Sequence, residues 1–151
     1  MTHAARLAEL GLALPAVVPP LASYVPAVRT GDLVFTSGQL PLAGGELGGV
    51  GKVGAQVTPE RAKELARLCA LNALAAIDAL VGIDSVVRVV KVVGFVASTP
   101  DFVGQPAVVN GASELLGEVF PDAGGHARSA VGVASLPLDA PVEVELVVEV
   151  R

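Results

Sequence analysis

Residues 58–82 read TPERAKELARLCALNALAAIDALVG, and this segment governs the architecture of the chain. Thr58 is a favoured helix N-cap, and Pro59 suits the first helical position because an N–H there would have no partner within the helix. Apolar side chains then recur at steps of three and four residues: Ala62, Leu65, Ala66, Cys69, Ala73, Ala76, Ile77 and Leu80. This spacing predicts a helix that ends at Gly82 and buries the Cys69 thiol on its inner face.

Strand-like segments flank this helix in both directions. Residues 33–37 and 86–96 are apolar runs with many β-branched side chains, which predict buried strands. A second helix is expected at about 106–120, followed by strands at 127–135 and 142–150. In the last of these, glutamates alternate with valines, the period of a strand with one wet face. The order of elements predicts an α+β fold in which one sheet carries two main helices on one face.

The remaining segments are less regular. A short helix is predicted at 3–10, stopped by the glycine that follows, and the proline-rich connector at 14–20 suits neither a helix nor a central strand. A short strand is expected at 23–29. Residues 44–54 contain six glycines, which predicts a loop with room for a hairpin.

Composition limits the classes of function. The chain has 151 residues, 52% of them hydrophobic, and a mean hydropathy of +0.66, enough for one domain with a substantial core. Hydrophobicity this high indicates either burial against other subunits or a bias toward alanine, valine and glycine. A net charge of -5, with no tryptophan and one tyrosine, disfavours a nucleic-acid partner, because such surfaces need clustered cations and stacking rings.

Targeting and redox features are sparse. No uncharged apolar run reaches the roughly 18 residues of a membrane helix, so no membrane span is expected. The lone Cys69 cannot form an internal disulfide. Arg6 and Glu9 lie where a secretory peptide would need apolar residues, which predicts a cytoplasmic protein.

Motifs for nucleotide binding, serine hydrolysis and metal hydrolysis are absent from the chain. With only His3 and His126 there is no zinc constellation, and no metal or cofactor is expected. The polar residues that remain as candidates are Tyr24, Ser37, Gln39, Asn110, His126, Arg128, Ser129 and Glu143.

Arg128 is the most informative candidate, because it sits where a loop enters an apolar strand. Its guanidinium pairs either with a carboxylate of the protein, such as Glu143 on the next strand, or with one on a ligand, since its fork matches carboxylates bidentately. His126 is either a general base or a solvated loop histidine. Tyr24 either lines a site or packs against other residues, and Asn110 either serves a site or faces solvent.

Five blocks carry a family resemblance: YV at 24–25, LVFTSGQLP at 33–41, VVN at 108–110, ARS at 127–129, and LP at 136–137 with VEVE at 142–145. Together they resemble the Rid (YjgF-like) family of reactive-intermediate deaminases, long known also as L-PSP endoribonucleases. The blocks follow the family's order at nearly its spacing, from about residue 20 to the end of the chain.

The resemblance implies a chorismate-mutase-like α+β subunit that forms a homotrimer. Residues 1–20 are then an N-terminal extension, and residues 21–151 are the family domain. In that family the helices lie outside, and three clefts form between neighbouring subunits. Its deaminating members hydrolyse 2-imino or enamine acids, such as 2-aminoacrylate, to 2-keto acids and ammonia without a metal or cofactor.

Residue roles follow from the same resemblance. Arg128 matches the arginine that grips the substrate carboxylate, and Glu143 matches the acidic residue that holds or activates water. Tyr24 matches a cleft tyrosine from the adjacent subunit. Ser37 and Asn110 match pocket-lining positions.

Two features depart from the deaminase pattern. Ala130 stands where the well-studied deaminases have cysteine, and the 122–126 connector is longer than usual and places His126 beside the pocket. Both residues are therefore expected among the substrate-binding positions. The changes fit either a deaminase with a remodelled cleft or a non-catalytic trimer that binds small carboxylates as a regulator. An endoribonuclease fits least, because the ten basic residues are scattered along the chain.

Overall fold

The computed structural model describes all 151 residues, with three helices and seven strands. The helices are α1 (His3–Glu9), α2 (Pro59–Val81) and α3 (Gln105–Val119), and the strands are β1 (Ala27–Thr30), β2 (Leu33–Thr36), β3 (Leu42–Ala43), β4 (Glu46–Leu47), β5 (Val86–Ala97), β6 (Ala127–Val133) and β7 (Val142–Val150). Short 3₁₀ turns lie at Ile83–Ser85 and Pro137–Asp139. The α+β class and the order of the main elements are confirmed.

Three boundaries differ from the sequence-based prediction. β1 begins only after Pro26, whose missing N–H cannot join a sheet ladder. β6 stops at Val133 because its partner β5 ends opposite that residue, at Ala97. The hairpin β3–β4 starts at Leu42, two residues before the glycine-rich segment.

The main sheet has the strand order β1-β2-β7-β5-β6. All neighbouring pairs are antiparallel except β5 and β6, which are parallel. A parallel pair needs a crossover, and α3 supplies it here. The strand β7, last in the chain, lies at the centre, and β6 forms an edge.

Helices α2 and α3 pack together against one face of this sheet. The approach is close at Gly111 of α3, where an added Cβ would lie 1.9 Å from the main-chain oxygen of Lys63 in α2. Cys69 is buried as predicted, and burial raises the pKa of its thiol well above its ordinary value. The short helix α1 joins the same core through Leu7. No helix in the structure combines the length and apolarity needed to cross a bilayer.

The opposite face of the sheet has no helix over it. Val28, Phe35 and Val131 are each more than two-fifths exposed on this face, which is called the open face below. On β7 the alternation is regular: Glu143, Glu145 and Glu149 line the open face, and the residues between them are buried against the helices, except Val147, which shares the open face. The sheet therefore has one face buried against the helices and one face that carries both apolar and acidic side chains.

Candidate functional site

Arg128 projects from the edge strand β6 toward the helices. It pairs in register with Val92 of β5, a fully buried residue, so its side chain leaves the sheet on the helix-covered face. There the side chain contacts α3. This helix lies close to the sheet, because Gly94 of β5 has no side chain: an added Cβ would lie 2.4 Å from a methyl carbon of Val109 in α3. The parallel pairing of β5 and β6 and the packing of α3 thus place the guanidinium.

The guanidinium of Arg128 is held by neutral oxygen acceptors. Its Nη1 donates to Oδ1 of Asn110 at 2.8 Å and to Oγ of Ser113 at 3.3 Å. Its Nη2 donates to the main-chain oxygen of Pro106 at 3.3 Å. Five ion pairs form in the chain, and none includes Arg128. The predicted alternative of a structural ion pair between Arg128 and Glu143 is therefore wrong.

Part of the guanidinium has no partner within the chain. Arginine carries five N–H donors, of which three are used here, so Nε–H and one N–H of Nη2 are left. Nε and Nη2 lie on the same edge of the planar group, the edge that can grip both oxygens of a carboxylate. Arg128 thus presents a partly free, uncompensated fork.

His126 lies beside this arginine with both ring nitrogens engaged. Its Nε2 lies 2.8 Å from Oγ of Ser113, and its Nδ1 lies 2.5 Å from the main-chain oxygen of Gly124. The reading of His126 as a solvated loop residue is therefore wrong, and so is the reading of Asn110 as a solvent-facing residue. We call Asn110, Ser113, His126 and Arg128 the Arg128 cluster. Ala130 lies on the same face of β6, two residues beyond the arginine.

Glu143 belongs to a second group of residues. It pairs with Phe95 of β5 and lies half-buried on the open face, with no hydrogen-bond partner in the chain. Burial, and then the nearby Glu145 carboxylate, raise the pKa of Glu143 from its ordinary value. The carboxyl group lies against Gly38, where an added Cβ would lie 2.7 Å from Cδ and from Oε2. A glycine at position 38 thus leaves the space that the carboxylate occupies.

Ser37 and Tyr24 adjoin this glycine. The hydroxyl of Ser37 donates to the main-chain oxygen of Val25 at 2.5 Å, which joins the two segments. Tyr24 is 46% exposed, and its hydroxyl accepts a hydrogen bond from the Leu21 N–H at 3.2 Å. Tyr24 and Gly38 line one shallow cavity. We call Tyr24, Ser37, Gly38 and Glu143 the Glu143 cluster.

The two clusters lie on opposite faces of the sheet. Arg128 pairs with Val92 and Glu143 with Phe95, and these two β5 residues alternate between the faces. One chain therefore cannot bring both side chains to the same small ligand. The structure gathers Asn110, His126, Arg128 and Ala130 in one place, and Tyr24, Ser37 and Glu143 in another.

Ser113 and Gly38 belong to these clusters, and Gly124 contacts one of them through His126, although none was among the predicted site residues. Ser113 follows Asn110 by three residues on a helix, so the two share a face. That spacing was a usable signal for Ser113. Gly38 lies inside the LVFTSGQLP block and could have been noted there. Nowhere do three or more His, Cys, Asp or Glu side chains converge as a metal site would require.

Comparison with known proteins places the chain among relatives of the same length. It is 45% identical over 152 residues to protein TCP17 of Trypanosoma cruzi, covering 98% of this chain and 94% of that one. The crystal structure of Atu1372 from Agrobacterium tumefaciens, a protein of unknown function, has 44% identity and a TM-score of 0.91, covering 99% of this chain and 92% of Atu1372.

Two Escherichia coli structures are more distant. The YjgF gene product has 31% identity and a TM-score of 0.62, covering 91% of this chain and 93% of its own. TdcF, solved with bound serine, has 28% identity and a TM-score of 0.63, covering 91% and 92%. The family model described as endoribonuclease L-PSP matches residues 15–150. The chain therefore belongs to the endoribonuclease L-PSP, or YjgF-like, family.

Proposed function

We propose that this protein hydrolyses reactive 2-imino and enamine acids, such as 2-aminoacrylate, to 2-keto acids and ammonia. The proposed site is a cleft between copies of the chain in a homotrimer, where Arg128 holds the substrate carboxylate. The observation that carries the proposal is the Arg128 guanidinium, which has no carboxylate partner in the chain and whose Nε–H and one Nη2 N–H are unused.

The charge on Arg128 favours an anionic ligand. Because Asn110, Ser113 and Pro106 offer only neutral oxygens, they orient the guanidinium without neutralising it. A bidentate carboxylate would satisfy the two free N–H groups in the geometry that arginine prefers. The serine bound to TdcF is itself a small α-amino acid with a carboxylate, which supports this class of ligand.

The opposite placement of the two clusters supports a site shared between copies. Arg128 and Glu143 can act on one ligand only if they come from different chains. The open face of the sheet carries apolar side chains such as Val28, Phe35 and Val131, a composition suited to contact with further copies. A trimer would use this face and bring the Arg128 cluster of one chain to the Glu143 cluster of its neighbour.

The proposed reaction needs few protein groups. Once its nitrogen is protonated, an imine carbon is electrophilic, so water adds to it and forms a C–O bond while the C=N π electrons move to nitrogen. Glu143 orients that water, takes its proton and passes this proton to the nitrogen of the addition product. The C–N bond then breaks to release ammonia as the C=O bond forms, and the hydroxyl proton goes to the Glu143 carboxylate. The raised pKa of Glu143 makes its carboxylate a better proton acceptor than an exposed one.

A non-catalytic trimer that binds small carboxylates is the second candidate. It would use the same Arg128 fork, and the methyl side chain of Ala130 beside it supplies no reactive group. An endoribonuclease, the activity in the family's description, is the least favoured because neither cluster contains a second cation to hold a phosphate backbone.

Imine trapping separates these functions. An amino-acid oxidase generates 2-imino acids, semicarbazide traps them, and the assay measures whether the protein lowers semicarbazone formation. We expect wild-type protein to lower it and Arg128→Ala to lose the effect by about a hundredfold, since charge-assisted hydrogen bonds to the carboxylate are removed. Arg61→Ala is the matched control, because that exposed arginine pairs with Glu64 on the surface of α2.

The outcomes distinguish the candidates. The deaminase is supported if wild type and Arg61→Ala lower semicarbazone formation and Arg128→Ala does not. Binding of a 2-keto acid by wild type with no effect on trapping leaves the carboxylate-binding module instead. Cleavage of RNA that persists in Arg128→Ala would overturn both proposals.

A further inference from the structure

A chain of hydrogen bonds runs from Arg128 into the protein. Nη1 of Arg128 donates to Oγ of Ser113 at 3.3 Å, Oγ of Ser113 lies 2.8 Å from Nε2 of His126, and Nδ1 of His126 lies 2.5 Å from the main-chain oxygen of Gly124. The four residues come from α3, the connector that follows it, and β6. The chain therefore joins the half-buried guanidinium to the backbone.

The direction of each bond follows from the chemistry of its ends. A main-chain oxygen only accepts, so Nδ1 of His126 carries the proton, and in a neutral ring Nε2 is then an acceptor. Ser113 accepts from Arg128, and its own hydroxyl proton is left to donate to Nε2 of His126. Each of the three donors in this chain of bonds, on Arg128 Nη1, Ser113 Oγ and His126 Nδ1, then has an acceptor. A doubly protonated ring would leave the Ser113 proton unpaired and would add a second positive charge beside Arg128.

The far end of this chain is rigid. Gly124 is buried against the end of α3, where an added Cβ would lie 2.6 Å from the main-chain oxygen of Leu116 and 2.7 Å from that of Phe120. Its N–H donates to the Phe120 oxygen at 2.7 Å. Because Gly124 is packed against α3 and hydrogen-bonded to it, its oxygen offers His126 an acceptor on well-packed backbone.

We propose that Ser113 and His126 are positioning residues that set the orientation of the Arg128 guanidinium without touching the ligand. Asn110 takes one N–H of Nη1, the Ser113–His126 pair takes the other, and the Pro106 oxygen takes one N–H of Nη2, so the group is held at three points that resist its rotation. Nε–H and one N–H of Nη2 are thereby left for a carboxylate. This inference deepens the proposed function and rests on it for the identity of the ligand.

Paired variants test the role of the hydrogen bonds. Ser113→Ala and His126→Leu should each weaken binding of a 2-keto acid, and raise KM for the imine, by about three- to tenfold with kcat nearly unchanged. Ser113→Thr keeps the hydroxyl, and His126→Gln offers an amide oxygen near the position of Nε2, so both should restore most of the affinity. Because both residues act through the same hydrogen bond to Arg128, the double variant Ser113→Ala/His126→Leu should bind the 2-keto acid as tightly as whichever single variant binds it less tightly.

A double-mutant cycle with Arg128 decides whether the pair acts through it. On an Arg128→Ala background, Ser113→Ala should have no further effect on 2-keto acid binding. An equal loss on both backgrounds, or no rescue by Ser113→Thr in a variant with wild-type thermal stability, would overturn the proposal.

Nitrogen NMR of the His126 ring and the Arg128 guanidinium gives a readout that needs no ligand. We expect the Nδ1–H tautomer for His126, and Nη1 signals of Arg128 that are resolved in wild type and averaged by rotation in Ser113→Ala. An Nε2–H tautomer would contradict the proposal even if the protein proved to be a deaminase. If the spectra are as expected but wild-type protein binds no carboxylate, the proposed function is wrong and the positioning role of Ser113 and His126 still stands.

Discussion

Arg128 and Glu143 project from opposite faces of one sheet, although both contact the same strand. Their partners on β5, Val92 and Phe95, lie three residues apart, and side chains three apart on a strand point in opposite directions. The two groups that the proposed chemistry needs are thus separated within one chain by the thickness of the sheet. A second copy must supply one of them.

Mixed assemblies test this separation. Arg128→Ala and Glu143→Gln should each be inactive alone, but unfolding them together and refolding at equal amounts should restore about a quarter of the clefts, since such a cleft takes its arginine from one variant and its glutamate from the other. The measurement is imine hydrolysis of the mixture against each parent. A mixture as inactive as its parents would place both residues in one chain's site.

Glu143 should give the protein a distinctive pH dependence. Because its pKa is raised by burial and by Glu145, its folded pKa lies above its unfolded one. Its contribution to stability is therefore fully present below the unfolded pKa, about 4.3, and is lost as the pH rises through the folded pKa. Glu143→Gln should thus melt at a higher temperature than wild type near neutral pH, and the difference should vanish in acid.

Glu145 supplies the control for that experiment. Glu145→Gln removes the second cause of the shift, so in its background the difference in melting temperature caused by Glu143→Gln should be smaller and should stop growing at a lower pH. Thermal unfolding followed by circular dichroism from acid to neutral pH measures both. A difference in melting temperature that stays constant with pH would contradict the raised pKa. Activity should likewise fall in acid as Glu143 is protonated, at a pH above that of an exposed carboxyl group.

Gly38→Ala should reduce activity with little loss of stability. The new methyl would lie 2.7 Å from the Glu143 carboxyl, which must swing away because it is the flexible end of a side chain. Since the function of Glu143 depends on its position, kcat should fall more than tenfold. Steady-state kinetics and a melting curve measure the two effects. Wild-type kcat would mean that the carboxylate position is unimportant.

Two glycines on α3 form a matched pair for the packing of the fold. Gly117→Ala meets nothing within 4 Å and should stabilise the protein by about 0.5–1 kcal/mol through helix propensity alone. Gly111→Ala drives a methyl into the Lys63 oxygen of α2 and should destabilise by about 1–3 kcal/mol or more. Chemical denaturation measures both. Equal effects would show that α2 and α3 do not approach closely in solution.

Much of the fold could be predicted because its elements are locally encoded. Thr58 caps α2 through its own hydroxyl, which accepts from the Arg61 N–H at 3.2 Å, and the period-3.6 pattern that follows is long. The glutamate alternation of β7 equally marks a strand with two different faces. The limits of β1 and β6 were missed because they depend on Pro26 and on where a partner strand ends.

The candidate residues were recognisable one by one, but their grouping was not. Residue types alone indicated that Arg128 could bind a carboxylate, that Glu143 lies on a strand, and that Asn110 lies on a helix. Whether the arginine paired with that glutamate was open, because the answer depends on which strands are neighbours and which face each residue takes.

The amino-acid sequence thus determined the helices, the strands and the kinds of side chain available for chemistry, since each of these depends on neighbours a few residues away. Only the tertiary structure decided that β7 lies between β2 and β5 and that Arg128 and Glu143 face apart. It also decided that Ser113 and His126 support the guanidinium. The physical reason is that these relationships arise from packing between segments distant in the chain, where a change of one residue in register reverses every face.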